Sequence, residues 1–183
     1  MSKTPAPLNS VVFSNGIRII ETTVVIIGGG RTTDKIIKSA KKLSGGKKLR
    51  YINPNINQDD MPSGNGHRKV VILEWFEFDH DPTIKEVNRK CRQMGYDHPT
   101  YGDGLRWQET YPSVKLEYTH IIIPEEPLCF DGSLPLGLFL SGDGNASSRQ
   151  LCMDFCILDR GWPLPCVFAR RKLPVTNYKI IKS

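Results

Sequence analysis

The chain predicts an α+β fold: a small mixed domain with two or three helices early and a short, looped antiparallel sheet late. Two observations lead there. Helix-period patterning ends near residue 110, and short β-rich runs broken by Gly, Pro and Asn fill the remainder. No second β–α–β unit follows the first strand–helix corner, which argues against a doubly wound sheet.

Residues 11–27, VVFSNGIRIIETTVVII, read as a β-hairpin. Asn15-Gly16 tolerates the positive φ of a tight turn, and the flanking Val, Ile and Thr suit a pleated surface. Gly28–Gly30 then breaks the run. Thr32 or Thr33 can cap a helix reaching about Leu43, with Ile36, Ile37, Ala40 and Leu43 on one face and lysines on the other. Gly45-Gly46 stops it. NPNINQDDMPSGNGH, 53–67, is turn-rich and reads as a long loop or boundary. RKVVILEWFEFD, 68–79, is strand-like. Asp81-Pro82 predicts a helix start, with Asp as cap and Pro in the first turn. Ile84, Val87, Cys91 and Met94 continue at helical spacing until Gly95. A further short helix is expected near 102–110. EYTHIIIPEEP, LGLFLSG, QLCMDFCIL and CVFARRKL follow as strands. In QLCMDFCIL, Leu151, Met153 and Phe155 share one face, and Cys152, Asp154 and Cys156 the other. The organisation expected is 1–50 as an arm or N-terminal subdomain, 51–67 as linker or long loop, and 68–183 as an α+β binding domain.

With 183 residues, 39% of them hydrophobic, the chain can bury a sizeable core. No apolar run approaches the ~20 residues that cross a bilayer. The start, MSKTPAPLNS, lacks the pattern of a secretory signal, and the five cysteines are odd in number with no C-x-x-C pair. Reduced thiols and a cytoplasmic location are therefore expected, with no membrane partner. Cys152, Cys156 and Cys166 lack the second half of a zinc motif, so neither metal nor cofactor is expected.

Charge is concentrated. Arg31, Lys35, Lys38, Lys41, Lys42, Lys47, Lys48 and Arg50 face one acid, Asp34, within 31–50, whereas the whole chain carries +6. Such a segment can meet phosphate or form a solvated helix face. The adjoining glycines match only part of a dinucleotide turn. The third glycine position is Thr33, and no acid closes a second strand, so the stretch reads as a corner and not a phosphate cradle.

Other constellations are weaker. Asp79, His80 and Asp81 could hold a metal or tune a proton, but Asp81 is expected to cap a helix. Asp143 and Asn145 in SGDGNASS form a polar turn without the remaining ligands of a calcium loop. No G-x-S-x-G or cysteine–histidine pairing is present, so no enzyme is expected.

INPNI (52–56), VVILEWFEFDHDPTIKEV, MGYDHPTYGDGL, ETYPSV, THIIIPEEPL and GWPLPCVFARRKL follow one another in that order. Over about residues 52–173 this resembles an uncharacterised bacterial family with an NPNI-like opening and a closing aromatic–Arg strand. It departs where Asp97-His98 stands for Arg before Pro99, and where Val167 stands for Arg before Phe168. The Gly95–Thr100 turn and the Phe168-Ala169-Arg170 ending are similar to C-type-lectin-like and sulfatase-modifying-factor-like domains. That resemblance implies a looped sheet displaying a variable binding surface. It implies no catalysis, because the factor's catalytic cysteines have no matching motif here.

The reading is a non-enzymatic binding module for a protein or glycan. Loops at 124–135 and 141–149 carry the contact surface, with Trp162, Asp143, Asn145 and Arg160 as contact residues. The alternative is a nucleic-acid-associated protein that contacts phosphates through 31–50.

Overall fold

Strand β3 (Lys69–Phe78) shows how the domain is layered. Leu73 and Trp75 face one side and Phe76 and Phe78 the other, and all four are buried. A strand covered on both faces reads as a continuous apolar run, which VVILEWFEF nearly is. The computed structural model describes residues 16–42, 50–112, 118–124, 136–142, 149–155 and 166–172. They form a small mixed α/β domain of three helices and one seven-stranded sheet.

The strands are β1 (Ile17–Ile27), β2 (Tyr51–Ile52), β3, β4 (Thr119–Ile122), β5 (Leu136–Ser141), β6 (Gln150–Phe155) and β7 (Cys166–Lys172). Their order across the sheet is β1-β3-β7-β4-β5-β6-β2. Most neighbours are antiparallel, but β7 runs parallel to β4 and β2 parallel to β6. The expected late antiparallel sheet is therefore corrected to a mixed sheet spanning the described chain. Local pattern reveals a strand but not its neighbour, and here β7 inserts between β3 and β4.

Helices α1 (Thr33–Lys42) and α3 (Tyr101–Thr110) contribute to the core on one face, and α2 (Ile84–Gln93) to the core on the other. Ile36, Ile37 and Ala40 of α1 join Val25, Trp75, Leu105 and Trp107 in the first core. Ile84, Val87 and Cys91 join Phe76, Ile121, Phe139 and Phe168 in the second. Gly104 lets α3 press onto the sheet, since a Cβ there would lie 2.7 Å from Ile122. Residues 17–42 thus share the sheet and core of the chain that follows. The first hairpin strand, Leu43 and Gly45-Gly46 lie outside the described residues.

Loop 53–67 is packed. Ile56 and Met61 are buried. Asn57 Oδ1 accepts from the amides of Asp59 and Asp60, both at 2.9 Å, and so fixes a local turn. Gln58 Oε1 accepts from the Thr33 amide at 2.7 Å, satisfying a donor at the start of α1. One expected cap is corrected. Thr83, not Asp81, caps α2, in a capping box with Glu86. A threonine three residues before a glutamate satisfies two amides reciprocally, which Asp81 cannot do. Met94 lies at the helix end and is exposed.

His120 of β4 is sealed between Trp75 and Trp107, at ring distances of 4.6 and 4.9 Å. Its Nδ1–H donates to the Tyr118 carbonyl at 3.1 Å. Burial pushes its pKa down to about 4; the Tyr118 bond opposes this and the Arg149 charge adds to it. The unfolded imidazole takes a proton below about 6.5, and the folded one does not until about 4. The part of the stability that depends on His120 should therefore fall by about 2 kcal/mol between pH 7 and pH 5. Urea titrations at the two pH values check this against His120→Asn, which should lack that part of the slope.

Candidate functional site

The glycine corner is closed by its own backbone. Gly28, Gly29 and Gly30 all have positive φ. The amides of Gly29 and Gly30 donate to the carbonyls of Gly66 and Gly64, at 3.0 and 2.9 Å, and that of Arg31 to Gly28 at 3.4 Å. A Cβ on Gly28 would run into the His67 carbonyl. The glycines therefore let two backbone segments approach, and the amides of Gly29 and Gly30 are taken. This is the corner expected from the sequence, with a specific reason for each hydrogen bond.

Beside it opens a cleft of about 290 Å³. Its walls include Arg31 after the corner, Lys69 of β3, Arg106 of α3 and Arg171 of β7. Two carboxylates hold the arginines. Glu109 pairs with both Arg31 and Arg106. Asp103, with no exposed surface, receives Arg171 Nε at 2.6 Å and Nη2 at 2.9 Å. Arg106 Nε also donates to the Ile26 carbonyl at 2.7 Å, tying α3 to β1. Four cations against two carboxylates leave a formal excess of two positive charges, so the cleft attracts anions.

The basic segment divides in two. Arg31 is drawn into the cleft. Lys35, Lys38 and Lys41 stand exposed on the outer side of α1, and Lys35 Nζ donates to the Gly30 carbonyl at 2.9 Å. Lys42 ends the helix and Arg50 is exposed beyond it. Lys47, Lys48, Trp162, Asp143, Asn145 and Arg160 lie outside the described residues, as do most of the loops at 124–135 and 141–149.

The Asp79–Asp81 stretch assembles differently from its sequence reading. His80 Nδ1 lies 2.7 Å from Asp79 and Nε2 3.2 Å from Glu86, so Glu86 replaces Asp81 as the second carboxylate. The Asp79 hydrogen bond, with Glu86 beside it and burial opposing, raises the pKa of His80. Both ring nitrogens of His80 are thus engaged by carboxylates in this arrangement. Cys91 and Cys166 are free and buried, and burial pushes their thiols up to about 11 and about 12, away from nucleophilic character.

Sequence reasoning overlooked Lys69, Arg106, Arg171 and Arg149. The available signal was charge inside otherwise apolar or helical runs, as in VFARRK. Arg149 is 1% exposed and lies over Trp107 at 5.3 Å. It donates through Nη1 to the Tyr111 carbonyl at 2.6 Å. Burial pushes its pKa down to about 10.

No protein-family model, curated protein or solved structure shows a significant match to this chain.

Proposed function

We propose that the protein is a non-enzymatic binding module for nucleic acid, and that the outer face of α1 contacts the phosphate backbone. One observation carries this reading. Lys35, Lys38 and Lys41 form an exposed stripe, and no carboxylate pairs with them among the described residues. Their span along the helix is about 9 Å, long enough to meet more than one phosphate. Such contacts position a protein on a strand without reading bases.

Fluorescence anisotropy with labelled single- and double-stranded DNA and RNA tests the proposal. Binding should weaken steeply with salt, and K35Q/K38Q/K41Q should weaken it roughly tenfold or more at low salt. No binding at low salt, or a triple variant that binds unchanged, defeats the reading.

A further inference from the structure

The geometry points to the cleft at the glycine corner as a binding site for a phosphate dianion, separate from the lysine stripe of α1. Glu109 engages Arg31 through Nε and Nη2, and Arg106 through Nη1. Asp103 engages Arg171 through Nε and Nη2. Each guanidinium therefore keeps one terminal nitrogen unclaimed among the described residues: Nη1 of Arg31, Nη2 of Arg106 and Nη1 of Arg171. The ammonium of Lys69 likewise has no described partner and stands exposed at the cleft.

This arrangement is pre-organised. The carboxylates behind the arginines hold their side chains in place before any ligand arrives, so little rotamer freedom is lost on binding. The donors come from four different parts of the chain: the corner, β3, α3 and β7. Divergent donors suit a tetrahedral oxyanion, whose oxygens point apart. A carboxylate presents only two, in one plane. The formal excess of two positive charges matches a dianion. Because the amides of Gly29 and Gly30 are taken, recognition falls to side chains and not to a backbone nest. At about 290 Å³ the cleft has room for the phosphate and part of whatever carries it. That carrier is either a phosphorylated small molecule or the terminal phosphate of a strand.

Calorimetry on the full chain at constant ionic strength and pH 7.5 tests the site with inorganic phosphate and adenosine 5′-monophosphate. Saturable one-to-one binding is expected. K69E should weaken it roughly tenfold or more, with the thermal midpoint unchanged, because Lys69 is exposed and unpaired among the described residues. K35Q/K38Q/K41Q should leave phosphate affinity intact, so failure of the α1 reading is distinguishable from failure of this one. Tighter binding of a 5′-phosphorylated oligonucleotide than of its 5′-hydroxyl twin assigns the site to strand ends. Tighter binding of the mononucleotide than of either oligonucleotide assigns it to a small ligand. Absence of saturable phosphate binding in the millimolar range, acetate binding as tight as phosphate, or an unaffected K69E overturns the proposal.

Discussion

Glu74→Ala is expected to lower the unfolding free energy by about 3–5 kcal/mol. Glu74 and Arg170 face each other across β3 and β7, with side chains only 8% and 2% exposed. Arg170 donates to Glu74 Oε2 through Nε at 3.1 Å and Nη2 at 2.8 Å, and Lys172 reaches Oε1 at 3.1 Å. Burial alone raises the carboxyl pKa, but the hydrogen bonds and charges of Arg170 and Lys172 outweigh it and hold Glu74 below the usual carboxylate range. Removing the carboxylate strands the guanidinium between the rings of Tyr96 and Phe76, at 3.9 and 5.3 Å. Those faces attract a cation but contribute less than a charged partner. Urea denaturation measures the loss. A loss below about 1 kcal/mol would mean that ring stacking suffices to hold the cation. Replacing both partners, as in E74L/R170M, should recover much of the stability, because no charge is then left unpaired. The depressed pKa gives the wild type an acid-sensitive component. It is fully present above about pH 4.5 and is lost as pH falls through the lowered folded value.

Trp75→Ala should be comparably severe, at about 3–5 kcal/mol. The indole has no exposed surface. It packs edge-on to Trp107 at 5.1 Å and to His120 at 4.6 Å, and its Nε1–H donates to Thr23 Oγ1 at 3.2 Å. Alanine removes the ring from the centre of the first core and leaves a cavity that sheet and α3 cannot both collapse into. It also orphans the hydroxyl of Thr23, which is 5% exposed. Trp75→Phe should be milder, retaining most of the apolar area and losing the hydrogen bond. Thermal unfolding of the two variants separates packing from hydrogen bonding. Equal losses would show that the Thr23 bond dominates.

Both sites show how sequence legibility ends where distance in the chain begins. The helices at 33–42 and 101–110 lie within about a residue of where the sequence places them, and for the first the causes are local: the apolar spacing of Ile36, Ile37 and Ala40 and a threonine at its start. The cap of α2 lies two residues beyond Asp81, since Asp81-Pro82 and the Thr83–Glu86 box are both good starts and only the second closes its hydrogen bonds. The two-faced burial of β3, β4 and β5 was also available, in runs such as HIII and LGLFL that do not alternate.

The cleft was not available. Arg31, Lys69, Arg106 and Arg171 are spread over much of the chain and meet only because β7 lies beside β3 and α3 packs across β1. By itself, then, the sequence determined the local elements, the glycine corner and the lysine stripe of α1, all products of short-range sterics, capping and helical periodicity. Strand order, the pairing of Glu74 with Arg170, and the sorting of basic residues into paired and exposed sets were decided by tertiary structure. Those features depend on which distant segments share a sheet and a buried face, and that follows from packing the whole core at once.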